Sequence, residues 1–285
     1  MRTRLDYDLR SENGCVLLLP PHVKTDEINM GEPDIFAADT QKYPVGSLAW
    51  YPGIGKKFRY VKAAEDITEA TSARLVANGN YAAGVAAGGI AANVHGYNGL
   101  AFAQAEIGQS YIDIDLTERA VNFFEGSYLQ LLPAANPIAQ YYVIGSDVST
   151  ATYTRVYIDQ PLKQTITVAM YIGISASPYT RIINGSTAPA RYKSFVGIPF
   201  ANPTSGQYSW IQTAGPVWIQ PGSWADDRLP GRAPNFRDVY AAIDGAITCS
   251  WVFGAATDGY QRVGYLLDAT AHNYGSVFIM LQLEG

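Results

Sequence analysis

The sequence predicts a mainly β protein: two β-sandwich- or barrel-like domains with an extended N-terminal arm. Three observations predict it. Short runs of alternating apolar and polar residues recur along the chain, which is the period-2 signature of half-buried strands. Gly, Pro and Asp punctuate these runs at close to the roughly 8–12 residues expected of a sandwich or barrel. Charged residues make up only 16% of the chain, beside 20 tyrosines and 27 glycines, and that mixture excludes the Ala/Glu/Lys/Leu periodicity of a coiled coil or helical bundle. At roughly 150 residues per domain, 285 residues fit one large domain or two modest ones. A hydrophobic share of 48% is enough for a core without metals or disulfide staples.

Residues 1–42 read as the arm. They contain Pro20, Pro21 and Pro33, their acids outnumber their bases, and no stretch holds a helical period. Such a segment is either disordered or ordered against a partner. Val45, Leu48 and Trp50 begin the first strand, Pro52 to Gly55 supply a turn, and Phe58 to Lys62 alternate as the second strand of a hairpin. Asp66 to Val76 is open to a short helix. Tyr81 to Gly108, rich in Gly and Ala, reads as strands and loops, because glycine costs about 1 kcal/mol against alanine inside a helix.

Strands are then expected at Tyr111–Leu116, Tyr128–Leu132, Tyr141–Ile144, Thr152–Ile158 and Gln164–Ile172. The polar stretch Asn184–Arg191 is the best internal boundary, which gives a first β domain at 43–190 and a second at 191–285. In the second, Phe195–Ile198, Tyr208–Thr213, Val217–Ile219, Ala246–Phe253, Gln261–Leu267 and Ser276–Leu283 read as strands. Pro221 to Asp238 reads as a long loop carrying Trp224 and arginines.

The residues needed for catalysis are not arranged for it. His22, His95 and His272 lack metal-ligand spacing, and Cys15 and Cys249 form no C-x-x-C or Cys/His cluster. The cysteines are either one disulfide or two thiols, and thiols are the expectation. Asp113 and Asp115 share one strand face, which reads as a solvated edge rather than an acid–base pair across a cleft. No Gly-x-Ser-x-Gly elbow occurs, and Gly84 to Gly89 match neither a P-loop nor a dinucleotide turn. The expectation is therefore no enzyme, no cofactor and no metal. A net charge of -5 argues against nucleic acid, since phosphate contacts need a basic face. No run of about 20 apolar residues offers a membrane span. The N-terminus lacks a signal-type apolar run, so synthesis and folding in a cytoplasm are expected.

One set of motifs has a recognisable order. Val196-Gly197-Ile198-Pro199 precedes Tyr208-Ser209-Trp210-Ile211-Gln212-Thr213-Ala214-Gly215-Pro216-Val217. Val263 to Asp268 and Gly275 to Leu281 follow. Upstream come Tyr43-Pro44-Val45-Gly46, Lys57 to Lys62, Glu125 to Leu129, Tyr142 to Ile144 and Val156 to Leu162. From Tyr43 to Leu283 this order resembles the head-decoration (auxiliary capsid, or cement) proteins of tailed bacteriophages. The Pro221–Asp238 loop and the arm have no counterpart in that pattern.

The resemblance implies a virion protein on the outer capsid surface, bound to the major capsid protein and to its own copies, with a trimer as a fitting oligomer. The arm is then the favoured clamp, through Pro20, Pro21 and Pro33. Trp218, Trp224, Arg228, Arg232 and Arg237 are further candidates for subunit contact, since Trp and Arg concentrate at interface hot spots. A packed aromatic and a solvated loop are the alternative reading of that group. A head-fibre or tail-associated adhesin that binds host-surface carbohydrate is the rival function, and an aromatic platform flanked by acids would favour it.

Overall fold

Every regular element among the described residues is a strand. The computed structural model describes residues 8–12, 15–19, 37–71, 73–78, 97–117, 121–132, 139–185, 194–221, 237–242, 244–249, 261–268 and 277–284. In chain order the strands are β1 (Asp8–Glu12), β2 (Cys15–Leu19), β3 (Leu48–Tyr51), β4 (Lys56–Lys62), β5 (Val76–Asn78), β6 (Tyr97–Leu100), β7 (Tyr111–Ile114), β8 (Tyr128–Leu132) and β9 (Ala139–Ser146). They continue with β10 (Thr154–Ile158), β11 (Tyr171–Ser175), β12 (Ile182–Asn184), β13 (Phe195–Pro199), β14 (Tyr208–Ile219), β15 (Asp238–Ala241), β16 (Ile247–Cys249), β17 (Arg262–Asp268) and β18 (Val277–Gln282). The mainly β expectation, with two β bodies, holds.

The division between the bodies is not linear in sequence. Among the described residues, 97–177 form one compact unit, and 8–19, 37–78 and 178–284 form the other. The boundary expected at residue 190 does not follow the pairing: β3 and β4 join the sheet of β14 and β18. The smaller unit is instead an insertion between β5 and β12, and these two flanking strands pair with each other, Asn78 opposite Ile182.

The larger unit is one 12-stranded sheet in the order β1-β2-β3-β4-β14-β18-β17-β15-β16, with β13, β5 and β12 branching from β14. Its hub is β14. The first half pairs with β4, Tyr208 opposite Lys62 through Ala214 opposite Lys57. The second half pairs with β18, Ala214 opposite Gln282 through Ile219 opposite Val277. Two stretches expected as separate strands are thus one. Val217, Ile219, Val263, Ile279 and Leu281 point into the main core of this unit, while Val61, Ile67, Val76, Ile182 and Ile211 build a second cluster.

Part of the expected arm is regular. The apolar run Cys15–Leu19 pairs with β3, Val16 opposite Trp50 through Leu18 opposite Leu48. β1 folds back on it, Asp8 opposite Leu19. Ala38 exchanges both backbone hydrogen bonds with Tyr208, each at 2.9 Å. The backbone edge that β3 offers is what this segment pairs with.

The helix considered at Asp66–Val76 does not form, because tertiary partners take its backbone donors. Ile67 N–H donates to Pro203 O at 2.8 Å and Leu75 N–H to Gly245 O at 2.8 Å. Thr68 N–H donates to Asn184 Oδ1 at 2.9 Å, and Ala70 N–H to Asn202 Oδ1 at 3.1 Å. The expected strand at Gln164–Ile172 also shifts. Thr167–Met170 is a turn, and the strand starts at Tyr171.

In the smaller unit six strands run in the order β6-β11-β8-β9-β10-β7. A bridge between Ala101 and Ile114 brings the two ends of the order together, as in a nearly closed barrel, which removes open edges. Alternate residues fill its core: Ile112 and Ile114, Leu129 and Leu131, Val156 and Ile158, Ile172 and Ile174, around Phe124.

Gly264 sits where β17 bulges against β15, and a Cβ there would lie 2.0 Å from Met280 O. Gly264→Ala therefore forces backbone apart in the core sheet. The expected loss is about 1–3 kcal/mol in chemical denaturation, the range of overpacked sites. Gly53→Ala, with open space around its Cβ, serves as the unchanged control.

Candidate functional site

Two outward faces, one on each unit, group aromatic side chains that reach solvent, Trp218 on the larger and Phe102 on the smaller. The face on the larger unit follows from strand alternation. Val217 and Ile219 point into the core, so Pro216 and Trp218 between and beside them point out. Trp218 is 49% exposed and lies directly opposite Phe278, with ring centroids 4.9 Å apart. Pro216 is opposite Met280, and Met280 is opposite Tyr265. Leu267, at the irregularity in β17 where Leu266 and Asp268 bracket it, is also exposed.

The result is an apolar patch across β14, β18 and β17. Its rim is polar: Arg262 pairs with Asp238 at 2.9 Å and donates to Gln282 Oε1 at 3.1 Å. Apolar centre and polar rim are the anatomy of a protein–protein contact. Of the contact residues expected from sequence, Trp218 lies at the centre of this patch. Arg237 is exposed, and its carbonyl accepts from Leu266 N–H at 2.8 Å, next to the patch strands. Pro20, Pro21, Pro33, Trp224, Arg228 and Arg232 lie outside the described residues, as do His22, His95 and His272.

The face on the smaller unit was not singled out from the sequence. On β10 and β7, Val156 and Ile112 point inward, while Tyr157 lies opposite Tyr111 and Arg155 opposite Asp113 on the outer side. Asp113 takes two hydrogen bonds from Arg155, from Nε at 2.8 Å and from Nη2 at 2.9 Å. Asp113 is thus ion-paired and half-buried rather than at a solvated edge, while Asp115 beside it on the same face is exposed. The guanidinium lies 4.0 Å from the Tyr111 ring centroid and 6.0 Å from that of Tyr153. Phe102 stacks on Tyr153 at 5.1 Å and 21°. The period-2 spacing Tyr153, Arg155, Tyr157 was the signal available in sequence.

The one cation of this row, Arg155, is paired with Asp113, while Asp147 accepts from a neutral phenol. Hydrogen bonding to Asp113 pushes the Arg155 guanidinium further toward its protonated form. The Tyr157 hydroxyl donates to Asp147 Oδ2 at 3.0 Å, which raises its pKa, burial adding to the effect. Among the described residues no group of three or more His, Cys, Asp or Glu is placed to hold a metal ion. No described helix is long and apolar enough to cross a membrane. No family model, curated protein or solved structure matches the chain.

The Tyr157–Asp147 bond has a titration signature. Tyr157 is expected to lose its proton above the ordinary value of 10.0. Its contribution to folding is complete below that pH and is lost as pH rises through the raised value. Tyrosine-selective carbon-13 NMR should show its resonance titrating late, and Asp147→Ala should return it toward 10.0.

Proposed function

We propose that this chain is a structural virion protein that decorates a tailed-phage head, binding capsomer junctions from outside and adding contact energy to the shell. The observation that carries this reading is the exposed Trp218–Phe278–Met280 patch, held on three paired strands of a continuous sheet. The ordered motifs resembling head-decoration proteins support it. The longest of them, Tyr208 to Val217, builds the strand that continues into Trp218.

The mechanism is additive rather than chemical. A buried tryptophan contributes a large apolar area with little rotamer entropy to lose, and the hydrogen-bonded strands beneath it are already paired before contact. A stable contact of this class buries roughly 1,200–2,000 Å² in total, and symmetry multiplies that modest gain over every copy. The partners in this reading are the major capsid protein and further copies of the same chain, with a cyclic trimer suited to a three-fold position.

The test is occupancy on purified empty capsids, together with copy number in purified virions. Trp218→Asp places a charge at the centre of the patch while leaving the inward face of β14 intact. Occupancy is expected to fall at least about tenfold, equivalent to ~1.4 kcal/mol, with unchanged circular dichroism. Undiminished occupancy of the variant, or a virion copy number of a dozen or fewer, overturns the reading.

A further inference from the structure

The geometry points to a binding site for a neutral carbohydrate on the outer face of β7 and β10, along the row Phe102, Tyr153, Arg155, Tyr111 and Tyr157. This site stands on the smaller unit alone and does not rest on capsid attachment.

The row is fixed before any ligand arrives. Phe102 N–H donates to Asp113 O at 2.8 Å, which ties the phenylalanine to β7. Tyr153 N–H donates to Thr150 Oγ1 at 2.9 Å, and Thr150 N–H donates to Tyr153 O at 2.8 Å, so the loop ahead of β10 is closed on itself. Tyr111 meets Tyr157 at 6.3 Å and 61°. Asp113 holds the Arg155 guanidinium from one side by two hydrogen bonds. Binding therefore costs little side-chain ordering.

What such a row accepts follows from its chemistry. Arg155 is matched by Asp113 and the Tyr157 hydroxyl by Asp147, so the face has no uncompensated cation for a phosphate or an acidic peptide. A nucleic acid is disfavoured further by the net charge of -5. Phe102, 42% exposed, offers an apolar ring, and the negative faces of such rings attract the slightly positive C–H groups of a pyranose. Arginine has five N–H donors in a fixed fork. Among the described residues two of them go to Asp113, which leaves the others for ligand hydroxyls. Apolar ring faces beside a rigid, charge-neutral donor–acceptor pair fit a molecule with one C–H face and an edge of hydroxyls. At the Trp218 patch the Arg262–Asp238 pair lies at the rim rather than over the rings, and the patch suits a protein surface instead.

The experiment is a glycan array read with the full chain, followed by calorimetric titration with maltohexaose, chitohexaose and a heparin hexasaccharide. At least one neutral oligosaccharide is expected to bind, and the sulfated one more weakly. Phe102→Ala removes an exposed ring outside the core and should weaken that binding at least about tenfold. Arg155→Lys keeps the charge but loses the planar fork and should weaken it comparably, while Trp218→Asp leaves it unchanged. The inference is overturned if no neutral glycan on the array binds, or if heparin binds at least as tightly. It is equally overturned if Phe102→Ala and Arg155→Lys both stay within twofold of the parent. None of these results bears on capsid occupancy.

Discussion

Two hydrogen bonds from the buried Gln212 amide, to Ala214 O at 3.0 Å and Pro216 O at 3.2 Å, hold β14 at the point where its partner changes. The register against β4 shifts between Gln212 and Ala214, and the side-chain amide bonds the carbonyls on the far side of that irregularity. A leucine of similar volume would fill the space but donate to neither carbonyl. Thr213 and Gly215 complete the device. Thr213 Oγ1 donates to Lys57 O at 3.4 Å. Gly215 adopts φ +97° with its missing Cβ facing Gly55 O, 2.6 Å from where that atom would sit. The consecutive Gln-Thr-x-Gly-Pro residues are therefore explained by one backbone irregularity.

That irregularity sets what lies on each side of the sheet. Before it, Tyr208 stacks on Tyr60, and Trp210 meets Tyr60 and Tyr43 with tilted rings, at centroid distances of 5.1–5.9 Å. After it, the alternation resumes with Val217 and Ile219 inward and Trp218 outward. A one-residue slip would turn Trp218 into the core and Val217 into solvent. The C-terminal end secures the same region. Glu284 accepts from Arg59 Nε at 2.8 Å and from the Tyr179 hydroxyl, and Arg59 Nη1 donates to Gly46 O at 2.7 Å.

Much of this was legible in the sequence because strand period and turn chemistry are local. The β3–β4 hairpin and strands such as β7, β8 and β10 follow from alternation, whereas the outward side of Trp218 was left open by the sequence. The rest depended on partners distant in sequence. Asp66–Val76 has helical composition, yet Asn184, Asn202, Pro203 and Gly245 capture its backbone donors. Cys15–Leu19 sits among acids and prolines, and only the open edge of β3 makes it a strand. The insertion of the smaller unit was invisible for the same reason: nothing local says that Asn78 pairs with Ile182 across more than a hundred residues. The aromatic row was half legible. Tyr153, Arg155 and Tyr157 show their common face by spacing, but their neighbours Tyr111, Asp113 and Phe102 come from a strand some forty residues upstream and the loop before it.

The two outward faces differ in the physics that governs recognition. The Trp218 patch works by apolar area, which is non-directional and tolerates any partner that excludes water from it. The Phe102–Tyr157 row works by direction: a guanidinium fixed in plane by a carboxylate selects for hydroxyl geometry, and unpaired donors penalise a ligand lacking it. The two sets of side chains stand over separate cores, Val217 and Ile279 under one and Ile112 and Val156 under the other. Substitutions with no shared partners add nearly independently. Divergence on one face therefore leaves the other's geometry intact. On these proposals an area-driven contact belongs to the larger unit and a directional one to the unit inserted between β5 and β12, each carried by strands of its own sheet.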